Sequence, residues 1–472
     1  MEKELLHRVE QWVKAHESEL IDDLAQLVKI KSVSEPGGKY AMGEGCAKCA
    51  HKAMEIGQKW GFETENHDYY CVSVRMKGTG GPELGILGHL DVVPEGEGWS
   101  FDPYGAQLQD GYMIGRGAGD NKGACVMSLY AMRCIRELGL PMHSDVRLIF
   151  GFNEEAGMED VEHYLQMKAP PRFTLVCDGA WPMIIGEKGM FTADLVTQVE
   201  SGNLLELQGG VASNSVPDKA FARVRAKCAA QQLPAQPGVC VENGADGSLF
   251  ICTEGKACHV MAPEGGVNAI ALLTDYLLKQ NLLEGDAVRA VQFANAVAGT
   301  CYGESLHIEN EDELSGKTTC VCGMARLENG KLILNVNSRY AIETDQKWQR
   351  EILFSTCAAA GFAVENLRES GPRYMPADSQ PVAGLLELYR KMTGHMAPPI
   401  IMGGGTHARK FPNALPFGPG HWGEPGKFGG AHSVDEAVCL RHLTEALPIY
   451  VAALLYLDRF FNERENEEEK HV

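Results

Sequence analysis

The chain has 472 residues, of which 44% are hydrophobic and 22% are charged, as in an ordinary globular enzyme of two or more domains. Its 43 Lys and Arg against 63 Asp and Glu give a net charge of −20, which disfavours nucleic acid and anionic membrane surfaces as partners. The 15 scattered cysteines, the lack of a secretory h-region and the lack of a membrane-spanning apolar run predict a cytoplasmic protein.

The first part of the chain alternates between helical and strand patterns. Apolar residues at helical spacing predict one or two amphipathic helices near the N-terminus, and further helices over residues 46–60 and 124–138. Short β-rich runs cover residues 71–76, 85–87, 146–150 and 173–176. This alternation predicts an α/β domain with a mostly parallel sheet.

The pattern changes after residue 186, and strand-like runs predominate as far as residue 374. Two helical patches interrupt them, over residues 269–283 and 348–360. The strand-like runs cover residues 191–199, 220–226, 248–253 and 332–338. An arrangement of this kind predicts an α+β insert.

The α/β pattern resumes after residue 376. A helix is predicted over residues 434–456, followed by a charged, solvated or frayed tail at residues 462–470. The first and last segments therefore form one predicted domain, made of residues 1–186 and 377–472. The insert, residues 187–376, is the second predicted domain.

Residues that can bind a metal follow three predicted strands of the first domain. His89 and Asp91 follow the second strand, Glu154 and Glu155 the third, and Asp178 the fourth. Sites in open α/β sheets form at the carboxyl ends of strands, so we expect these side chains at one edge. On an extended backbone the paired glutamates point apart, so one can bind a metal while the other acts as a base beside a metal-bound water.

Asp120 adds a carboxylate from the glycine-rich loop GRGAGDNKG, which precedes a predicted helix. With the other four acids it would produce strong repulsion unless cations lie between them, so one or two divalent metal ions are expected. Histidine and carboxylate ligands suit zinc, or manganese and cobalt where oxygen ligands dominate. The loop has neither the glycine spacing of a dinucleotide-binding turn nor a Walker pattern, so we exclude a nucleotide site.

Several motifs resemble one known family. HLDVVPEGEGW, GRGAGDNKG, NEEAGMED and VCDG, in this order and spacing, resemble the M20 family of metallopeptidases. NSVPDKA, GKACHVMAPEGGVNA, GGGTHARKFPN and GGAHSVDE are similar to its bacterial dipeptidase branch, the PepV-like or Sapep-like relatives of carnosinase. The resemblance implies a catalytic domain of the di-zinc aminopeptidase-like type, with a mostly parallel sheet, interrupted by an α+β lid domain.

The resemblance also implies two divalent metal ions per chain, Zn²⁺ in the first place and Mn²⁺ or Co²⁺ as alternatives. Asp120 would bridge the two ions. His89 and Asp178 would complete the site of one ion, and Glu155 and His432 would complete that of the other.

Two more residues of the catalytic domain have implied roles. Asp91 would orient His89, and Glu154 would be the general base that activates the attacking water and later protonates the leaving amine. The resemblance thus predicts metal-dependent hydrolysis of the amide bond of dipeptides. A deacylase of N-acyl amino acids is the nearest alternative, and a binding protein that has lost the chemistry is a distant one.

Five residues are implied in substrate binding. In the lid, His259 and Asn214 would polarise the scissile carbonyl. Arg339 would pair with the terminal carboxylate of the substrate, together with backbone N–H groups around Gly404 and Gly405. The insert is long enough for two lid lobes, so we expect a monomer that acts on small peptides.

Three positions depart from the family pattern. Asn121 stands where a second aspartate is frequent, and Ala156 stands where Thr or Ser is common. His407 replaces what is more often an aromatic residue in the dipeptidase branch, which leaves the side-chain preference for the substrate open.

Overall fold

The computed structural model describes residues 3–420 and 426–470, which fall into two compact units. The first unit is drawn from Met1–Ile185, Met375–Ile400 and Gly405–Val472, and the second from Gly186–Tyr374 and Ile401–Gly404. Residues 401–404 thus group with the insert, whereas the sequence pattern predicted them in the first domain. The assignment of the two units as catalytic and lid domains stays a prediction.

The first unit contains a six-stranded sheet. Two strands at one edge pair antiparallel, and the other four run parallel to one another. In spatial order the strands are Glu63–His67, Cys71–Met76, Ser144–Gly151, Gly81–His89, Phe173–Val176 and Ala414–Pro416. The inner parallel strands are largely buried, as expected for strands of a parallel sheet covered on both faces. The predicted mostly parallel α/β sheet is confirmed.

The helices of the first unit include a single continuous N-terminal helix, where one or two were predicted. The helix Gly123–Glu137 packs against both the first and the last helix, and its residues 123–135 are all buried. In chain order the helices are Lys3–Val28, Gly43–Lys59, Gly123–Glu137, Glu159–Met167, Val382–Thr393 and Leu440–Lys470.

The last helix begins and ends later than predicted. Residues 434–439 are not helical, because Ala437–Cys439 pairs antiparallel with Tyr112–Ile114 instead. The helix then runs over Leu440–Lys470 with Pro448 inside it, so the backbone of the charged tail is helical rather than frayed. Further short strands are Gln107–Gln109, Gly179–Ala180 and Pro419–Gly420.

The second unit contains an eight-stranded sheet in which each strand pairs antiparallel with its neighbours. In spatial order the strands are Val239–Asn243, Ser248–Glu254, Lys219–Arg225, Leu204–Gly209, Thr319–Glu328, Lys331–Tyr340, Gly189–Gln198 and Ala363–Ser370. Two halves of four strands join where Gln208 pairs with Arg326 and Gly209 with Ala325. The α+β character of the insert is confirmed.

Three helices accompany this sheet, over Ala269–Lys279, Asp286–Ala298 and Gln346–Ala359. The first is shorter than predicted and the second was not predicted. Gly285, with a φ of 64°, lies immediately before the second helix, in a conformation that glycine adopts without strain. Shorter strands of this unit are Ser215–Val216, Cys258–His259, Glu311–Asp312, Gly316–Lys317 and Arg373–Tyr374. The strands Ile184–Glu187 and Ile400–Met402 each begin in the first unit and end in the second.

Two further features are the state of the cysteines and the character of the helices. All 15 cysteines are free thiols. Across the parts of the chain that the structure describes, no helix combines the length and the apolar character needed to cross a bilayer.

Candidate metal centre

Three neighbouring parallel strands bring polar side chains to one edge of the six-stranded sheet. His89 is the last residue of its strand, Asp178 follows shortly after Phe173–Val176, and Glu154 begins a 3₁₀ turn soon after Ser144–Gly151. Backbone pairing ends at these points, and the side chains that follow turn towards the carboxyl edge of the sheet. The structure therefore brings together the residues that the sequence pattern expected at this edge.

His89 lies in both groups of candidate ligands. Its Nε2 atom is 3.0 Å from Asp120 Oδ1 and 3.6 Å from Asp178 Oδ2. Ligand atoms of His89, Glu154 and Asp178 lie within 4.8 Å of one another, as do those of His89, Asp120 and Glu155. A tetrahedral ion with ligand bonds of about 2.1 Å holds its ligand atoms about 3.4 Å apart, so these spacings fit a metal ion.

The second ring nitrogen of His89 determines which atom can bind a metal. Nδ1 lies 3.0 Å from the main-chain carbonyl of Asp91, and because a carbonyl only accepts, Nδ1–H is the donor. In the neutral ring the lone pair then resides on Nε2, which faces the carboxylates of Asp120 and Asp178. A lone pair aimed at carboxylate oxygens requires a cation between them, either a proton on the ring or a metal ion.

His432 approaches the same cluster from the last segment of the chain. Its Nε2 atom lies 2.9 Å from Glu155 Oε1 and 3.3 Å from Asp120 Oδ2. Since Asp120 Oδ1 faces His89, this aspartate presents one oxygen to each histidine. That is the placement expected of a carboxylate that bridges two ions.

Asp91 is fully buried and holds the turn that carries the paired glutamates. Its Oδ1 accepts the backbone N–H of Glu154 at 3.2 Å, and its Oδ2 accepts that of Glu155 at 3.1 Å. Oδ1 also lies 3.5 Å from Nδ1 of His89. One side chain thus orients a candidate ligand and both glutamates.

The acids of the cluster repel one another where no cation lies between them. Burial, together with the charges of Asp178 and Glu155, raises the pKa of Glu154. Burial and the charge of Asp120 raise the pKa of Asp178 to about 7. The site therefore resists full ionisation near neutral pH, and divalent cations would remove that resistance.

The pKa values of His89 and His432 are also raised by the surrounding carboxylates. Hydrogen bonds with Asp120 and Glu155 raise the pKa of His432 to about 10. Burial opposes protonation of His89, but its interactions with Asp120 and Asp91 outweigh burial and raise its pKa as well. Without metal, protons on the histidines thus supply positive charge where metal ions would otherwise supply it.

Asn121, a departure from the family pattern, has a defined partner here. Its Nδ2 donates to Asp178 Oδ1 at 3.2 Å and to the carbonyl of Cys177 at 2.9 Å. An ionised aspartate at this position could not donate either bond. The departure therefore gives the candidate ligand Asp178 a hydrogen-bond donor that holds its orientation.

His407, which the resemblance connected with substrate preference, is fully buried. Its Nε2 lies 3.1 Å from Asp160 Oδ2, the oxygen that also accepts the N–H of Asn153 at 2.9 Å. Its ring meets that of His89 edge-on, with the ring centroids 6.2 Å apart. His407 thus packs against a residue of the candidate metal centre. Because it is buried, it is not part of a surface that could contact a substrate side chain.

The five predicted substrate-binding residues are divided between the two units. In the second unit Asn214 and His259 lie side by side, since the Asn214 carbonyl accepts the N–H of the residue after His259 at 3.0 Å. Arg339 lies on a strand of the eight-stranded sheet, Gly404 belongs to the second unit and Gly405 belongs to the first. Their roles stay predictions from the resemblance.

Comparison with known sequences places the chain in one family. The profile of Peptidase family M20/M25/M40 matches residues 85–456. The chain is 32% identical over 462 residues to YtjP of Bacillus subtilis (strain 168), which covers 93% of this chain and 97% of that protein. It is 28% identical over 464 residues to the Beta-Ala-Xaa dipeptidase of Lactobacillus delbrueckii subsp. lactis, with 94% and 97% covered.

Solved structures share the fold. Human carnosine dipeptidase 1 matches with a TM-score of 0.60 and 15% identity, covering 96% of this chain and 99% of that chain. The di-peptidase Dug1p from Saccharomyces cerevisiae matches with a TM-score of 0.59 and 13% identity, covering 96% and 98%. Identities this low show the fold alone, whereas the family profile and the sequence relatives show descent. The chain belongs to Peptidase family M20/M25/M40 and is a hydrolase of peptide bonds.

Proposed function

We propose that this protein is a two-metal dipeptidase. The observation that carries the proposal is the placement of Asp120 between two histidines. Its Oδ1 lies 3.0 Å from Nε2 of His89 and its Oδ2 lies 3.3 Å from Nε2 of His432. Two divalent ions would account for both contacts, because Asp120 could help to hold one ion together with His89 and the other together with His432.

Five residues would hold the two ions. His89 and Asp178 would bind one ion, Glu155 and His432 the other, and Asp120 both. Two histidines and three carboxylates suit Zn²⁺ best, and Mn²⁺ or Co²⁺ is compatible with the oxygen-rich set. When bound, the ions would lower the pKa of a water molecule and polarise the scissile carbonyl.

Glu154 would be the general base. Its carboxylate lies in the group with His89 and Asp178, and its backbone is held by Asp91. Burial raises the pKa of Glu154 well above its usual range, which makes the carboxylate a better proton acceptor. Glu154 would take a proton from the attacking water and deliver it to the leaving nitrogen, so that the amide is converted into a carboxylate and a free amine.

Dipeptides are the proposed substrate class because the Beta-Ala-Xaa dipeptidase is matched over 97% of its own length. Asn214 and His259 would polarise the scissile carbonyl, and Arg339 with Gly404 and Gly405 would bind the terminal carboxylate. Binding of the terminal carboxylate next to the polarised carbonyl would place the scissile bond beside the last residue of the peptide.

We also propose that the protein is a cytoplasmic monomer. The 15 free cysteines support the reducing compartment. The eight-stranded sheet supports the monomer, because its two halves are both supplied by one chain.

A substrate panel tests the proposal. Protein treated with EDTA and reloaded with Zn²⁺, Mn²⁺ or Co²⁺ would be assayed with dipeptides, N-acetyl amino acids and a tripeptide. We expect cleavage of the dipeptides only, with loss of activity after EDTA and recovery with metal. Cleavage of only the N-acetyl amino acids would show that the proposed metal centre is right and that the substrates are N-acyl amino acids rather than dipeptides. No cleavage with two ions bound would instead favour a binding protein.

A further inference from the structure

Glu436 is a buried acid beside the metal centre that is not among the candidate ligands. Its side chain is 1% exposed. Its Oε1 accepts three backbone N–H groups of the glycine-rich loop, from Gly117 at 3.1 Å, Gly119 at 3.0 Å and Asp120 at 3.0 Å. One oxygen atom of Glu436 thus binds three backbone groups of the loop that carries Asp120.

The other oxygen of Glu436 is also engaged. Oε2 accepts from a guanidinium N–H of Arg116 at 2.5 Å, and Arg116 is only 2% exposed. The guanidinium also donates to the carbonyl of Glu95 at 3.3 Å and lies 5.2 Å from the centroid of the Trp99 ring. The guanidinium of Arg116 thus offsets part of the cost of burying this carboxylate.

The segment that carries Glu436 also carries His432. Its turn is closed by the N–H of Gly429, which donates to the carbonyl of Asp435 at 2.9 Å. His432 has a φ of 62°, in the left-handed region that a non-glycine residue adopts only where the surroundings hold it. The main-chain carbonyl of Glu436 accepts the N–H of Gly115 at 2.8 Å, so both its backbone and its side chain bind the glycine-rich loop.

We propose that Glu436 is a positioning residue that locks the Asp120 loop onto the turn that carries His432. The lock would fix the distance of 3.3 Å between Asp120 Oδ2 and His432 Nε2, and with it the spacing of two metal ions. This inference rests on the proposed two-metal function.

The glycines of the loop agree with this role. Gly117 has a φ of 83°, and a Cβ atom there would meet Val92 Cγ1 at 2.6 Å. A Cβ atom on Gly119 would lie 3.5 Å from Oε1 of Glu436. Gly117 therefore requires both a positive φ and the absence of a side chain, whereas a side chain at Gly119 would make only an ordinary contact with Glu436.

Glutamine is the sharpest substitution at this position. Its amide has one acceptor oxygen, so its NH₂ group would face either Arg116 or the three backbone N–H groups. In each orientation donors meet donors. The matched control is Asp458→Asn, because Asp458 is also buried and accepts the backbone N–H groups of His143 and Ser144, the latter at 2.6 Å.

The experiment titrates metal-free wild type, Glu436→Gln and Asp458→Asn with Co²⁺, following heat and the visible absorption of the bound ion. Reloaded enzymes are then assayed for kcat and KM on a dipeptide. For Glu436→Gln we expect affinity for at least one of the two ions to fall about 10–100-fold, with a changed spectrum. We expect kcat to fall with KM little changed, because no substrate contact is removed. Asp458→Asn should keep the wild-type affinity and spectrum.

Each failure has its own signature. Wild-type affinity and spectrum in Glu436→Gln would overturn the inference while leaving the dipeptidase intact. An equal loss in Asp458→Asn would also overturn it, because the effect would then be general destabilisation. Wild type that binds no Co²⁺ would overturn the proposed function and the inference together. If Glu436→Gln does not fold, Arg116→Lys, which leaves the three backbone bonds in place, should shift affinity in the same direction by less; no shift would overturn the inference.

Discussion

Two buried aspartates hold opposite ends of the strand Ser144–Gly151, and only one of them lies at the metal centre. Asp91 accepts the backbone N–H groups of the paired glutamates beyond the carboxyl end of the strand. Asp458 accepts the backbone N–H groups of His143 and Ser144 at its amino end. Both aspartates make the same kind of hydrogen bond to the backbone. Their roles therefore depend on the residues that surround them.

The two ends differ in how charge is balanced. At the amino end, Asp145 pairs with Arg75 and accepts the N–H of Gly78 at 2.7 Å, and Arg147 pairs with Glu83 at 2.7 Å. At the carboxyl end five acids share two histidines. A carboxylate matched by local donors contributes stability, whereas a surplus of carboxylates at a strand edge creates a demand for cations.

The largest expected loss of activity follows from removing the proposed general base at the carboxyl end of the strand. Glu154→Gln keeps the shape of the side chain but cannot accept a proton from water, so kcat of the metal-loaded enzyme should fall about 10²–10⁴-fold. The matched control is Glu162→Gln, on the helix that follows, where Glu162 pairs with Lys410 at 2.6 Å on the surface. A loss in kcat no greater than that of the control would remove Glu154 from this role.

Asp91→Asn should have the next largest effect. An asparagine offers one acceptor oxygen, so its NH₂ group would face one of the two backbone N–H groups that the aspartate now binds. We expect metal affinity or kcat to fall about 10–100-fold, as measured by calorimetric titration with Zn²⁺ and by dipeptide hydrolysis. Unchanged affinity and unchanged kcat would show that the turn holds its position without Asp91.

Asp458→Asn makes the same chemical change at the opposite end of the strand. We expect it to cost about 1–3 kcal/mol of unfolding free energy, because the NH₂ group that replaces Oδ2 would face the N–H of His143, which Oδ2 now accepts at 3.2 Å. Urea unfolding would measure the loss, and kcat of the metal-loaded enzyme should stay at the wild-type value. A fall in metal affinity as large as that of Asp91→Asn would erase the distinction between the two ends.

The smallest effect concerns a buried histidine outside the cluster. His67 contacts Ser73 Oγ at 2.9 Å, and burial lowers its pKa from 6.5 to about 4. The unfolded chain therefore binds a proton between pH 6.5 and 4 that the folded protein does not. The stability contribution is full above pH 6.5 and is lost as the pH falls towards 4.

His67→Gln removes that titration and can keep a hydrogen bond to Ser73. Urea unfolding at pH 7.5 and pH 5 should show a smaller acid-induced loss of stability in the variant than in the wild type. Equal losses in both proteins would mean that His67 is not a buried neutral histidine, and that its contrast with His89 and His432 does not exist.

Much of the candidate metal centre could be predicted from sequence because all but one of the candidate ligands have a local signature. His89, Glu154 and Asp178 follow buried apolar strands, and strand ends of a parallel sheet meet at one edge by construction. The glycines around Asp120 indicated a loop whose backbone conformation differs from that of a helix or a strand. Only His432 depended on the family motif, since the residues around it form neither a strand nor a helix.

The supports of the centre could not be predicted, because they join residues that are far apart in the chain. Glu436 meets Arg116 across 320 positions, and His407 meets Asp160 across 247. The predicted start of the last helix was wrong for the same reason, because Ala437–Cys439 forms a strand that pairs with a distant part of the chain. Local periodicity carries no information about such partners.

X-ray diffraction from crystals of Zn²⁺-loaded protein, with anomalous data collected at the zinc absorption edge, tests the central claim most directly. The account predicts two anomalous peaks about 3.5–4 Å apart, with one oxygen of Asp120 bound to each, His89 beside one ion and His432 beside the other. A single peak, or two peaks of which Asp120 touches only one, would contradict the two-metal centre.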